Sequence, residues 1–337
     1  MEVTSRRAFL AAASAAAIGA LVPQSARAAP LVYKLGHAAP LTHMAHIQAV
    51  EAAKEVERRT AGALRIEVMG ASALGGDTSL LSQVRQGSLE FYIGGASVLA
   101  TVVPLAAIWS MGFAFSSYAD VWRAVDGELG ALVRNAVSKT SGLTVFDTAW
   151  DLGFRQISTS GKPVQKVGDL SGVKMRVPVS PLLTSMFTAL RAAPVSLNFG
   201  EVYAALQTRL ADGQESTLTI FDAAKLYEVQ KYVSLSSHSW EGTMILSNTT
   251  AWNRLPVDMR NIVSSTFNAQ GLIQRERSEA LANSLRASLS EKGVAFVAPD
   301  RNGFKELLRS AGFYKEWRER MGQPAWSVLG RYAQDLL

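Results

Sequence analysis

Apolar positions along this chain recur with two different periods, and each switch of period marks a new element. The stretch LVYKLG over residues 31–36 reads as a first strand. From Met44 to Arg59 the spacing becomes helical: Ile47, Val50 and Ala53 share a face, and charged residues fill the other side. Thr60-Ala61-Gly62 ends that helix, with the glycine as the stop. Leu64, Ile66 and Val68 then alternate, which predicts a strand with one buried face. A helix ending at Gly87 and a strand over Leu89 to Ile93 follow, closed by the pair Gly94-Gly95. Strand, helix, strand, helix, strand is the order of a parallel sheet.

Further along, Trp150 to Ile157 and Val173 to Val177 read as strands. Pro181 to Leu190 is a helix: Ser180 supplies the N-cap, Pro181 takes the first position, and Leu183, Met186, Phe187 and Leu190 form one apolar face. The longest helical pattern starts at Asp258 and stops at Gly293, more than thirty residues without a proline. Helices in globular proteins usually run about 8–20 residues. Its apolar face breaks around Gln270 to Glu276, which argues against an unbroken heptad seam. A strut crossing two lobes fits better.

The first 28 of the 337 residues follow another logic. Arg6 and Arg7 precede an apolar run from Ala8 to Val22, and Ala26-Arg27-Ala28 offers a cleavage site for an export signal. Ser5-Arg6-Arg7-Ala8-Phe9-Leu10 resembles the twin-arginine motif. The 309 residues after Ala28 suggest about two domains. The chain has no cysteine, so disulfides, thiol catalysis and thiolate zinc sites are excluded. Its formal net charge of +6 is spread without a basic run, which gives nucleic-acid binding no support.

Candidate chemistry is sparse. Among the four histidines, His43 and His46 could share a helical face, yet no third metal ligand and no His-Glu-x-x-His pattern accompanies them. No nucleophile elbow, P-loop or dinucleotide fingerprint is present. Gly75-Gly76-Asp77 reads as a helix-capping turn, Asp212-Gly213 as another turn, and Glu201 as an acid at a helix N-terminus. In GVKMRVP, Val173, Met175 and Val177 point to one face of a strand, and Lys174 and Arg176 to the other; Pro178 ends it. On spacing alone, Arg176 faces water.

Taken as combined text, the run DLSGVKMRVPVSPLLTSMFTALRAAPVSLNFGEVYAALQTRLADGQE resembles the DctP-type solute-binding proteins of TRAP (tripartite ATP-independent periplasmic) transporters. Asp169-Leu170, Gly172, Lys174 and Arg176-Val177-Pro178 match that family's central motif. Glu201-Val202-Tyr203, Ala205-Leu206-Gln207 and Asp212-Gly213-Gln214-Glu215 match its second, and Lys225 to His238 its third. The resemblance implies an α/β fold of two lobes, each a mixed β-sheet flanked by helices, with the long helix spanning both. Lobe I is then 29–153 with 241–281, and lobe II 154–240 with 282–337. The chain should cross between them near Gly153, near Trp240-Glu241 and within Glu279 to Ala282, as a hinge.

The resemblance also assigns roles. Arg176 stands at the family arginine that forms a two-pronged salt bridge with a ligand carboxylate, a geometry lysine cannot imitate. Arg155 falls at the family's second arginine, and Phe199 at an aromatic lining position. Two departures stand out: Ser216-Thr217 replaces the usual Asn-Pro, and Gly95 stands where the sialic-acid branch has an acid. His37, His43 and Gly94-Gly95 suggest a roomy early lobe with few charges, and Trp150 and Trp240 suggest aromatic walls. Together these favour a monocarboxylate with an apolar or aromatic body over sialic acid, hexuronates and C4-dicarboxylates. The expected protein is a periplasmic monomer without catalysis, metal or cofactor, whose partners are the acid and the membrane subunits of a TRAP transporter. The competing readings are an exported enzyme using His37 or His238 as base, and an ABC-type receptor of similar shape.

Overall fold

The first three strands, β1 (Leu31–Gly36), β2 (Leu64–Met69) and β3 (Phe91–Gly95), pair in parallel in the order β2-β1-β3. In this computed structural model, which describes residues 29–333 and Leu336, they form the outer part of lobe I. The expected export signal lies outside the described residues. Then follow β4 (Leu143–Val145), β5 (Trp150–Thr159), β6 (Lys174–Val177), β7 (Ala193–Ser196), β8 (Gly213–Thr217), β9 (Tyr232–Asn248) and β10 (Ala295–Val297). All belong to one continuous sheet in the order β2-β1-β3-β9-β5-β8-β6-β7, with β4 and β10 also on β9.

The strand that joins the halves is β9, 17 residues long. Its later half pairs antiparallel with β3 and β4, residues 232–243 pair antiparallel with β5, and its first residues pair in parallel with β10. The parallel sheet expected from the first elements is therefore real for β1 to β3 and turns mixed at β9. The β5–β9 ladder shifts register between Asp151 and Gly153 and again between Arg155 and Ile157. Such bulges bend a strand pair where it must change direction.

The strut helix spans Val257–Glu291, 35 residues. It packs on the helix Met44–Arg59 in one lobe and on Leu218–Ala223 in the other, with β5 between. The break in its apolar face has a physical reason. Gln274, Arg275 and Ser278 are buried there: Gln274 and Arg275 bond to the crossing strand and its approach, and the Ser278 hydroxyl accepts from Gln274. Gly271 lets the helix close on Trp150, since a Cβ would sit 2.6 Å from the indole nitrogen.

One core cluster surrounds Phe91, Phe146, Trp150 and Phe267, and another Leu206, Phe221, Leu226 and Leu285. The largest cluster runs between the lobes: Trp109, Met175, Phe187 and Trp240 share it with Phe304, Trp317 and Trp326. The helices Arg301–Ser310 and Phe313–Met321 pack on Pro181–Ala189, while Phe313–Met321 also meets Pro104–Ser110 and Gln323–Gly330 meets Glu128–Ser141. We propose the lobes as 29–153 with 241–281 and 154–240 with 282–337, with the last helices straddling the boundary. Among the described residues no helix is long and apolar enough to cross a membrane.

Candidate functional site

Between the lobes lies a cleft of about 720 Å³, its mouth included. Lobe I contributes His37, Asp77, Gly95, Ser97, Glu241 and Thr243; lobe II contributes Arg176, Phe199, Ser216, Thr217 and Ile220; Leu152 and Arg155 lie at the crossing. The lobes touch around it. The main-chain N–H and hydroxyl of Thr78 both donate to Oδ1 of Asn198 at 3.3 Å, and Nε2 of His43 lies 3.2 Å from the Thr219 hydroxyl.

Arg176 is 2% exposed, against the reading that it faces water. Both faces of β6 are covered: Met175 and Val177 enter the core, and Arg176 enters the cleft. Its Nε and Nη2 donate to the carbonyl of Leu197 at 3.1 and 2.7 Å, and the guanidinium stands 6.0 Å from the Phe199 ring centre. Burial pulls its pKa down to about 10, with Glu215 the first opposing influence. A desolvated cation whose hydrogen bonds among the described residues go to one carbonyl is prepared for an incoming anion.

Arg155 is different, because its charge is already met. Its Nη2 donates to Oε1 of Glu215 at 2.7 Å, and its Nε to the other carboxylate oxygen. Glu215 also lies 3.2 Å from Nε2 of His238, whose Nδ1 is 2.8 Å from the Ser236 hydroxyl. Burial pushes the Glu215 carboxyl up, yet Arg155 and His238 bring it below its ordinary value. Burial holds His238 below its ordinary pKa despite Glu215.

Of the residues singled out in the sequence, Arg176, Arg155, Ser216, Phe199, His37 and Gly95 meet in the cleft lining. Three do not, which corrects the picture of aromatic walls. Trp150 is buried in the lobe I core, stacked on Phe267 at 6.3 Å. Trp240 donates its indole N–H to Asp151 at 2.8 Å and packs edge-on against Trp122. His43 caps the helix Met44–Arg59, accepting from the N–H of Ala45, and links the lobes through Thr219. His37 stays neutral, its pKa pulled down to about 3 first by burial and then by His46 and His43.

The early lobe is also more charged than expected. Asp77 lines the cleft, and one of its oxygens accepts from Tyr92 at 3.0 Å; burial raises its pKa. Glu241, a crossing point in the sequence, lines the cleft as well. Its signal was available: it is the one carboxylate within residues 232–248. Among the described residues, no group of three or more histidines and carboxylates could hold a metal ion.

Comparison with known proteins shows the family. The family described as DctP, bacterial extracellular solute-binding protein, family 7, matches residues 35–319. Protein y4mM of Sinorhizobium fredii is 33% identical over 312 residues, which are 92% of this chain and 57% of that longer protein. The solute-binding protein RD1_1052 of Roseobacter denitrificans is 30% identical over 302 residues, 89% of this chain and 91% of that one. Its structure with bound L-galactonate superposes at a TM-score of 0.83, with 27% identity, covering 88% of this chain and 98% of that one. A TRAP periplasmic solute-binding protein of Sulfurospirillum deleyianum with bound succinate reaches a TM-score of 0.84 at 25% identity, covering 90% and 98%.

Proposed function

From the premise that the chain belongs to the bacterial extracellular solute-binding proteins, family 7, we propose that its cleft holds a small acid by one carboxylate, anchored on Arg176. The protein is a periplasmic binding protein of a TRAP-type transporter, and its task is capture and delivery without chemical change. The membrane subunits of that transporter are the partners of this reading, and the protein acts as a monomer.

One observation carries it: Arg176 is buried in the cleft with no carboxylate in ion-pair range among the described residues, while Arg155 is already paired. One cation without an ion-pair partner among the described residues matches one carboxylate. A C4-dicarboxylate would need a second, and Glu215 already holds the candidate. Ala38, Ala39, Ile93, Val98, Leu152 and the Phe199 ring suit an apolar body. We therefore rank branched or aromatic hydroxy- and keto-monocarboxylates above sialic acid, hexuronates and C4-dicarboxylates. The relatives with L-galactonate and succinate define the competing classes.

A thermal-shift panel across these classes tests the ranking, since a ligand at 100 times its Kd stabilises by about 2.7 kcal/mol. Melts shifted only by polyhydroxylated or dicarboxylic acids would overturn the proposed ligand. Isothermal titration of Arg176→Lys tests the anchor. Removing one partner of a desolvated pair costs about 2–5 kcal/mol, roughly 30- to 4000-fold in affinity. Near-native affinity in the lysine variant would overturn the two-pronged contact.

A further inference from the structure

Four neighbouring strands each bring one charged side chain to the cleft or its lining, and the signs alternate. Glu241 on β9, Arg155 on β5, Glu215 on β8 and Arg176 on β6 follow the strand order of the sheet. The two inner members satisfy each other. The outer two are left half-compensated, and both line the cleft. Among the described residues, Arg176 donates to the Leu197 carbonyl alone. Glu241, 1% exposed, accepts from the Ser97 N–H at 3.0 Å and the Ser110 hydroxyl at 3.2 Å, and Nη1 of Arg155 stands 3.7 Å away.

A second observation points to a ligand at the Glu241 end. Thr243 lies two residues on, on the same face of β9, and also lines the cleft. It is 4% exposed, and its hydroxyl has no hydrogen-bond partner among the described residues. Buried polar groups are normally paired, so an open one in a cleft marks a place for a ligand atom. Gly95 supplies the space, since a Cβ there would lie 2.9 Å from Oε1 of Glu241.

Resting on the one-carboxylate reading, we propose that Glu241 and Thr243 form a second recognition point. Among monocarboxylates with an apolar middle, it selects those that carry a hydroxyl or ammonium donor at the end remote from the carboxylate, and it rejects diacids. β6 and β9 are three strand spacings apart, about 14 Å at the backbone. Side chains leaning in from both lobes shorten that span to a small molecule. A donor meeting a buried carboxylate makes a charge-assisted hydrogen bond, whereas a second carboxylate there meets like charge. Burial first, and Glu215 after it, push the Glu241 carboxyl above its ordinary pKa, with Arg155 and Ser97 opposing, and a donated hydrogen bond would favour its charged form.

The test is isothermal titration with linear acids of four to six carbons that end in methyl, hydroxyl, ammonium or carboxylate. At the best length, the hydroxyl or ammonium acid should bind at least about 10-fold tighter than both the methyl acid and the diacid. Glu241→Gln should erase the ammonium preference and raise diacid affinity by about 10-fold. Thr243→Val, which keeps the shape, should weaken the hydroxyl acid while leaving the methyl acid unchanged. A wild-type protein that takes the diacid equally well, or binds none of the series, overturns the proposal. So does a Glu241→Gln variant with the original order. Arg176→Ala separates the two readings: if it loses every acid while Glu241→Gln changes nothing, only this inference fails. If it keeps them, the anchor fails too.

Discussion

Gln274 of the strut helix and Asp151 of β5 exchange two hydrogen bonds, from the Asp151 N–H at 2.8 Å and to its carbonyl at 2.7 Å. They do so where β5 passes from one lobe to the other and its ladder with β9 shifts register. The pair replaces ladder bonds that the bulge removes. Gln274→Ala would leave both main-chain groups buried and unmet, at about 1–3 kcal/mol. Urea denaturation should show that loss, with ligand affinity less affected than stability. An unchanged midpoint would mean that the helix does not clamp the crossing.

The two cleft arginines should respond in opposite ways. Arg155→Met strands Glu215 as a buried, unpaired charge, and breaking such a pair costs about 3–5 kcal/mol. Arg176→Met removes a buried cation whose own desolvation is poorly compensated, so the ligand-free protein should melt at the same temperature or higher while losing its ligand. Calorimetry on both variants checks this. A melt lowered equally in the two would show that Arg176 is part of the stabilising network.

Asp151 gives a pH dependence with a defined sign. Burial raises its carboxyl from 3.8 to about 7, against donations from Trp240 and Tyr118; Glu279 adds to the rise and Arg275 opposes it. Between those values the folded chain holds a proton that the unfolded chain releases. Stability from this group therefore falls as pH rises from about 4 to 7. His37 and His43, held near 3 and 4 by burial, act oppositely and lose stability as pH drops below 6.5. They are common to wild type and Asp151→Asn, so they cancel in the difference. That difference should move in the variant's favour from pH 4 to 7 and then level. A flat difference would count against a protonated Asp151.

Closure should depend on Asn198. Its Oδ1 receives two donors from Thr78 across the mouth of the cleft. Asn198→Ala should weaken binding by roughly 0.5–1.5 kcal/mol for the pair, mainly through faster release. Small-angle scattering should still show contraction on ligand binding in the wild type, and less of it in the variant at equal ligand. Equal contraction and equal release rates would remove Asn198 from the closing contact.

Much of the scaffold was legible. The strand Leu31–Gly36 and the helix Met44–Arg59 have the bounds that periodicity predicted, because one face of each carries the core. β3 begins at Phe91 instead of Leu89, since Gly87 closes the preceding helix in a left-handed turn and a further turn follows. β9 has no periodic signature in the sequence. It is buried along most of both faces, so it lacks alternation, and its serine-rich first half resembles a loop. The burial of Arg176 is not a property of its own strand: alternation tells which side it takes, but the other lobe makes that side a cleft. The tryptophans misled for a related reason. A large ring near a crossing can fill a hinge as well as a ligand wall, and Trp150 and Trp240 do the former.

Because β9 completes the pairing of both halves, the order of synthesis matters. β3 and β5 each wait for a neighbour that leaves the ribosome only when residues 232–248 have been made. Until then each presents an unpaired strand edge, the kind of surface that recruits other chains. On the proposed division each lobe is built from two separated segments, so the nascent chain has little to gain from folding one lobe first. Pairings this distant in sequence also make for slow folding. A holding chaperone, or a delay until synthesis is complete, is the condition under which such a chain reaches its native sheet without aggregating.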